Sequence, residues 1–210
     1  MSSYDVFDSN PAIIARLIPL TEATLADELE VAVLVDQLEV LNKNILRHDQ
    51  LISTLFDAEG ADAQRIAALP GAGPILSPRL YVALARHAPN TTNAEELAAA
   101  VGIAPVTDQS GKMRKVYRRL RCDTYTRQTF VEWAKESWKH SAWAESFVRS
   151  RLAKGQGFHA IIRSLAYKWI RILWKCWHDH LAYNEETYLV RLRQKSSLLV
   201  SNLPSLQSPK

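Results

Sequence analysis

Apolar residues recur at two different spacings along this chain, and each spacing predicts a different kind of helix. In the first part of the chain they alternate in steps of three and four residues, which is the a/d pattern of a coiled coil. The eight positions of this heptad seam are Val31, Leu34, Leu38, Leu41, Ile45, His48, Ile52 and Leu55. A stripe of two positions in seven favours a partner helix, although packing on the chain's own domain is the alternative. We therefore predict a coiled-coil helix over residues 21–57 and a homo-oligomer formed through residues 31–55.

Wider apolar stripes follow, and they are typical of helices that pack in a globular core. One long helix is predicted from Thr124 to about Leu152, and another from Phe158 to about Ala182. These two helices carry all six tryptophans. Aromatic residues at helical spacing are more often core residues than a platform for stacked bases, so we assign them to the core.

Two short helices are predicted around the sequence Pro70-Gly71-Ala72-Gly73. The first runs from Asp62 to Leu69 and the second begins at Pro74. Helix, Pro-Gly-x-Gly and helix is the pattern of a helix-hairpin-helix, whose free amide groups hold a DNA phosphate without reading sequence. A plain antiparallel helix pair is the alternative interpretation. We predict DNA contact at Gly71 and Gly73.

Further on, Asn93 is expected to cap a helix from Ala94 to Val101. The fold class that results is mainly α. The predicted organisation is an unstructured leader (1–20), the coiled-coil helix, a compact helical domain (58–190) and a flexible tail (191–210).

Charge is divided unevenly between the two halves of the chain. Residues 1–100 carry 6 basic and 14 acidic residues, whereas residues 101–210 carry 20 basic and 8 acidic ones. A polyanionic partner is therefore expected at the C-terminal half. Two cysteines and the absence of a signal-peptide pattern indicate the cytoplasm, and no apolar run reaches membrane-spanning length.

The densest positive charge directly follows a serine. Turn formers at Pro105, Asp108 and Gly111 predict that Ser110 lies at the tip of a loop. The segment 112–121 then holds six basic residues and no acid, and both a strand and a helix remain open for it. Such cations attract a DNA backbone and offset charge at an attacked phosphorus. The residues that we expect to bind DNA here are Lys112, Arg114, Lys115, Arg118 and Arg119.

A metal site is the rival interpretation of another cluster. Cys176 and His180 are four residues apart on a predicted helix, and His178 lies between them, a legitimate metal-ligand spacing. No second ligand pair stands elsewhere at comparable spacing. We therefore predict no metal site in this chain.

Several motifs occur in an order that resembles a known family. The turn and serine motifs are L-P-G-A-G-P (69–74), V-G-I-A-P (101–105) and Q-S-G-K (109–112). They are followed by R-Q-T-F…W-A (127–134), W-A (143–144), L-A-Y-K-W-I-R-I-L (165–173), C-W (176–177) and Y-N-E-E-T-Y (183–188). Together these motifs resemble the C-terminal transposase domain of the bacterial insertion-sequence 110/116/900/902 transposases. The similarity covers about residues 25–190.

The resemblance implies DNA transposition by site-specific recombination, with Ser110 as the nucleophile. It also implies element ends and target DNA as partners, an element-encoded guide RNA, and a place at the bacterial nucleoid. Where the family has G-N-x-x-L-R after the serine, this chain has C-D-T-Y-T-R (122–127), so only Arg127 carries over as a DNA-contacting residue.

One departure from the family pattern defines the alternative function. Full-length members carry an N-terminal RuvC-like domain whose carboxylates bind a divalent metal such as Mg²⁺. Here residues 1–20 lead directly into the coiled coil, so we expect that domain to be lacking and no cofactor to be bound by this chain. The alternative to an active transposase is therefore a non-catalytic fragment that binds DNA and self-associates.

Overall fold

The mainly helical fold is confirmed by a computed structural model, which describes residues 25–111, 113–117 and 119–194. These residues form eight α-helices and one two-stranded sheet. The helices are α1 (Leu25–Asp57), α2 (Ala61–Ala67), α3 (Gly73–His87), α4 (Ala94–Ala100), α5 (Thr124–Ser137), α6 (Ala142–Leu152), α7 (Phe158–His178) and α8 (Glu185–Gln194). The strands are β1 (Val106–Ser110) and β2 (Met113–Tyr117). The predicted leader and residues 195–210 of the predicted tail lie outside the described residues.

The helix predicted from the heptad pattern is continuous from residue 25 to residue 57. Its seven apolar seam side chains, from Val31 to Leu55, are between 41% and 60% exposed. Among the described residues, the seam side chains are therefore not buried. By its internal contacts the chain divides into two units, residues 1–48 and 49–210.

The core of the second unit is built around three tryptophans from three helices. Trp133 of α5, Trp143 of α6 and Trp169 of α7 are all fully buried. The ring centroid of Trp169 lies 4.9 Å from that of Trp133 and 4.7 Å from that of Trp143. The assignment of these residues to the core is thus confirmed, and the other three tryptophans are half-buried at its margin.

The prediction of one long helix from Thr124 to Leu152 is wrong, because the helix is interrupted between Ser137 and Ala142. No glycine or proline marks the break. Ser141 is extended there, and Glu185 accepts hydrogen bonds from the Ser141 hydroxyl (3.0 Å) and the Trp143 amide (3.4 Å). Residues ten apart on one helix point about 80° away from each other. The break therefore allows both Trp133 and Trp143 to contact Trp169.

Two predicted helix ends also differ from the structure. Helix α7 stops at His178 rather than near Ala182, because His180 takes a left-handed conformation and the Leu181 amide donates to the Cys176 carbonyl (2.9 Å). The tail predicted from residue 191 is still helical as far as Gln194. The cap predicted at Asn93 is confirmed, since its side chain accepts from the Glu96 amide (2.9 Å).

The Pro-Gly-x-Gly turn between α2 and α3 packs directly on the end of α5. The Pro70 carbonyl accepts a hydrogen bond from the Trp133 indole (3.0 Å). Gly71 has a φ of 70°, and a Cβ there would lie 2.9 Å from backbone atoms of Glu136 and Ser137. A residue with a side chain does not fit at this close approach. Gly73 also has a positive φ, but a Cβ there would meet nothing within 4 Å.

This difference between two glycines of one turn gives a matched test of the fold. Gly73→Ala should cost only the left-handed backbone penalty, about 1–2 kcal/mol. Gly71→Ala should cost about 1–3 kcal/mol more, because the added methyl overpacks against the α5 backbone. Urea unfolding of both variants measures the two free energies. Equal losses would show that the close approach at Gly71 does not limit stability.

Candidate nucleic-acid interface

Ser110 lies in a β-hairpin that connects the α4 region to α5. Strands β1 and β2 pair antiparallel, with Ser110 opposite Met113 and Val106 opposite Tyr117. Of the two conformations left open for the basic segment, residues 113–117 form a strand. Ser110 is the last residue of β1, rather than part of an irregular loop as predicted. The sheet has two strands in the described part of the chain, so both of its edges carry backbone groups without a ladder partner.

The glycine of the Ser-Gly motif is explained by the backbone conformation of the turn between β1 and β2. Only residues 111 and 112 separate the paired residues Ser110 and Met113, so the turn is a two-residue one. Such turns need a positive φ at their first position, and Gly111 has a φ of 56° there. The glycine thus permits the tight turn, which leaves the serine hydroxyl as the chemically reactive part of the motif.

Ser110 shares one face of the hairpin with two charged residues. Successive residues of a strand alternate between faces, and directly paired residues share a face. Because Asp108 is two residues before Ser110 and opposite Lys115, all three lie on the same face. All three are exposed, and in the described part of the chain the Ser110 hydroxyl makes no hydrogen bond. The hairpin therefore presents a hydroxyl, a carboxylate and an ammonium to solvent.

Of the remaining basic residues in segment 112–121 that are predicted to bind DNA, two are described by the structure and two are not. Arg114 lies on β2 opposite Gln109. Lys112 and Arg118 lie outside the described residues. Arg119 follows the hairpin and is half-buried, and its Nε is buried without a hydrogen-bond partner among the described residues.

Arg127 holds the base of the hairpin. It is half-buried in the first turn of α5, where its guanidinium donates to the Arg119 carbonyl (2.9 Å) and contacts the Cys122 sulfur (3.1 Å). Gly102, just before the hairpin, faces the same cysteine: a Cβ there would lie 2.7 Å from the Cys122 Cβ. These contacts hold the segments before and after the hairpin close together. DNA contact by Arg127 stays a prediction, and its guanidinium already has these two partners within the chain.

A further cation beside the hairpin exit was not predicted. Arg86, at the end of α3, forms an ion pair with Asp123 (3.6 Å) and is mostly exposed. Hydrogen bonds from Thr126 lower the pKa of Asp123, with a smaller contribution from Arg86. Next to it, burial and then the Arg86 charge lower the pKa of His87, against the opposing effect of Asp123. Arg86 is an isolated basic residue in the sequence, so only the tertiary structure reveals its proximity.

The two glycines predicted to contact DNA differ in their surroundings. Gly71 is half-buried against α5, whereas Gly73 is exposed at the start of α3 with open space before it. Gly73 is therefore the accessible member of the pair. A phosphate contact at this turn stays a prediction.

The metal interpretation of Cys176, His178 and His180 gains no support from their geometry. His178 stacks on Trp174 and contacts Asp179 through Nδ1 (3.1 Å), while His180 faces Arg65 (3.4 Å). Burial raises the pKa of the Cys176 thiol, which disfavours the thiolate that binds metals. No group of three or more potential ligands occurs in the part of the chain that the structure describes.

Comparison with known proteins shows what the segment that includes this hairpin is similar to. Residues 63–149 match the model of the Transposase IS116/IS110/IS902 family. This range begins in α2 and ends in α6, so it includes the glycine turn, Ser110 and Arg127. The match confirms, for residues 63–149, the resemblance to this transposase family that was drawn from the ordered motifs.

A curated relative supports the same assignment over a longer range. The chain is 26% identical over 185 residues to the mini-circle putative transposase for IS117 of Streptomyces coelicolor. The alignment covers 87% of this chain and 44% of the relative, so the chain spans less than half of the relative's length. In the described part of the chain, no helix has the length and apolarity needed to cross a bilayer.

The role of Arg127 at the hairpin base can be tested by removing its charge. Arg127→Gln should lower the free energy of unfolding by about 1.5–3 kcal/mol, because charge-assisted hydrogen bonds at a half-buried site are lost. The hairpin should also be cleaved faster by trypsin at its basic residues. The exposed neighbour Arg121 is the control: Arg121→Gln should stay within about 0.5 kcal/mol of wild type. Equal stability of the two variants would contradict the structural role.

Proposed function

We propose that this chain acts on DNA in insertion-sequence transposition, with Ser110 as the nucleophile that attacks a DNA phosphate. The observation that supports this most is the placement of Ser110. Ser110 is the last residue of β1 and lies next to a tight turn, with its hydroxyl exposed. It also lies inside the segment that matches the transposase family. The densest basic segment of the chain follows it directly. A nucleophile in that position can reach a phosphate without moving buried structure.

The proposed step is a transesterification. The Ser110 Oγ forms a bond to phosphorus, the bond from phosphorus to one deoxyribose oxygen breaks, and that oxygen leaves with a proton. One phosphate ester replaces another, so the adduct retains the bond energy needed for rejoining. A weak nucleophile such as serine needs a group that accepts its proton. Asp108 lies on the same face of the hairpin and is the candidate that the register favours.

Positive charge around the serine would serve both binding and chemistry. Lys115 shares the face of Ser110, and Lys112, Arg114, Arg118 and Arg119 are its neighbours in sequence. Cations at such positions hold the strand by its phosphates and stabilise negative charge that develops at phosphorus. Gly73, at the start of α3, would add a contact to the sugar–phosphate backbone that carries no sequence information.

The roles that we propose for a divalent metal and a guide RNA come from the family resemblance. The described residues offer no ligand cluster for a divalent metal, so we assign metal binding to a RuvC-like domain and derive no step through it here. An element-encoded guide RNA is the proposed source of target choice. The basic C-terminal half would contribute to holding that RNA.

The nucleophile is tested by trapping the covalent intermediate. We expect the chain to form a protein–DNA adduct on labelled element-junction DNA when a RuvC-like domain and Mg²⁺ are supplied, and Ser110→Ala to lose it. Because the alanine variant keeps every cation, it should bind the DNA with unchanged affinity. A denaturing gel detects the adduct, and Gln109→Ala on the neighbouring position is a matched control that should retain it.

Two outcomes would contradict the proposed chemistry. Equal adduct from wild type and Ser110→Ala would move the reaction to another residue. Salt-dependent DNA binding without any adduct, in the presence of an intact partner domain, would favour the non-catalytic DNA-binding alternative.

We also propose that the exposed seam of α1 joins copies of the chain. Replacing Leu38 and Ile45 by Asp should abolish self-association, because charges in a buried seam are costly. Val40 and Leu46 are apolar and exposed on the same helix but lie outside the heptad seam. Their replacement by Asp is the matched control and should leave the oligomer intact. Sedimentation velocity measures all three proteins, and a monomeric wild type at every accessible concentration would refute the proposal.

A further inference from the structure

Two cations from different helices, neither of them in the hairpin, meet on one buried aromatic ring. The Arg151 guanidinium carbon of α6 lies 4.5 Å from the centroid of the Phe147 ring, and the Lys168 ammonium of α7 lies 5.3 Å from it. Phe147 itself is almost fully buried. Each cation is attracted to the face of the ring, but the two also repel one another.

Little negative charge is present to neutralise this pair. Residues 142–178 contain seven lysines and arginines but only one acid, Glu145. Glu145 pairs with Arg149 (2.7 Å). Among the described residues, no carboxylate lies within 4.0 Å of the charged nitrogens of Arg151 or Lys168. The polar partner of Arg151 is the neutral Gln156 side chain (3.1 Å).

Lys168 is the less solvated of the two cations. It is half-buried on α7, and burial lowers the pKa of its ammonium. The charges of Arg151 and Arg171 lower it further. Arg171 in turn pairs with Glu95 at 3.7 Å. Lys168 is thus a half-buried ammonium near two guanidinium charges, with no carboxylate within 4.0 Å among the described residues. Such an ammonium is electrostatically unfavourable unless an anion joins it.

We propose that Arg151 and Lys168 together bind a phosphate of a nucleic-acid strand. The oxygens of one phosphodiester can accept hydrogen bonds from a guanidinium and an ammonium at once. Such an anion offsets the mutual repulsion of the two side chains, while the Phe147 ring holds both of them in place. The site rests on the proposed nucleic-acid function, but it uses none of the hairpin residues and adds a second region of contact on α6 and α7.

The test compares two double variants of the full chain that lose the same charge. In the site variant, Arg151→Gln is combined with Lys168→Met, which keeps the packed aliphatic stem. In the control, Arg163→Gln is combined with Arg193→Gln, two exposed arginines that form no ion pair among the described residues. The probes are one labelled 30-nucleotide sequence as single-stranded DNA, duplex DNA and RNA, measured by anisotropy across a range of salt concentrations.

We expect the site variant to lose one neutralised phosphate and the control to lose none. The slope of log affinity against log salt should then decrease in magnitude by about 0.9 on duplex DNA, or about 0.7 on a single strand. The probe that shows the decrease identifies which nucleic acid uses the site. Lys168→Arg combined with wild-type Arg151 should retain the slope, and urea unfolding should show the site variant to be as stable as wild type.

The outcomes separate this site from the hairpin proposal. If the site variant keeps the wild-type slope on all three probes, the site is refuted, while a decrease in the triple variant Lys112→Gln, Arg114→Gln and Lys115→Gln leaves the hairpin proposal standing. If the site variant alone loses slope, the site is supported and the hairpin contact fails. Absence of salt-dependent binding by the wild type would refute both.

Discussion

The tilted and edge-on packing of Trp169 against other aromatic rings is the interaction on which the second unit depends. Its ring contacts Trp133, Trp143 and Tyr183, whose centroids lie within 5.2 Å and which come from α5, α6 and the segment before α8. Each such pair contributes about 0.5–1.5 kcal/mol beyond the burial of its area. Trp133 extends the network to the Pro70 carbonyl, and Trp143 donates to the Tyr183 hydroxyl (2.8 Å). Motifs far apart in sequence are therefore joined by one aromatic centre.

The same centre determines where the candidate nucleophile can be. Trp133 fixes the position of α5, and Arg127 in the first turn of that helix holds the carbonyl of Arg119 at the hairpin exit. Gly102 on the other side of the hairpin packs against Cys122. Contacts thus run from the buried core through α5 to the residues just before and just after the hairpin that carries Ser110. Several of the family-like motifs stabilise the scaffold that presents the hydroxyl, and they need no direct role in chemistry.

The helical class, the cap at Asn93 and the buried stripe of α7 could be predicted because each depends on residues close together in sequence. The break before α6 could not, because Glu185, more than forty residues away, supplies the acceptor for its first turn. For the same reason the sequence did not show that the α5 backbone limits the space at Gly71. The strand at Ser110 was missed because turn formers indicate that a turn is near but do not fix the register. The proximity of Arg151 to Lys168 depends on two helices that meet at one aromatic ring, and no local sequence pattern predicts such a meeting.

The small size of the hairpin has a consequence for how selectively the proposed reaction would treat DNA substrates. A two-stranded sheet with exposed apolar residues, among them Met113, Val116 and Tyr117, contributes little folding free energy of its own. Fixing its backbone costs about 1–2 kcal/mol per residue in conformational entropy, so under the proposed function a bound strand would help to hold the hairpin in place. A DNA that made only part of the proposed contacts would hold Ser110 less closely, and in-line attack on that DNA would be rarer. Misplaced substrates would then react slowly without any group dedicated to excluding them.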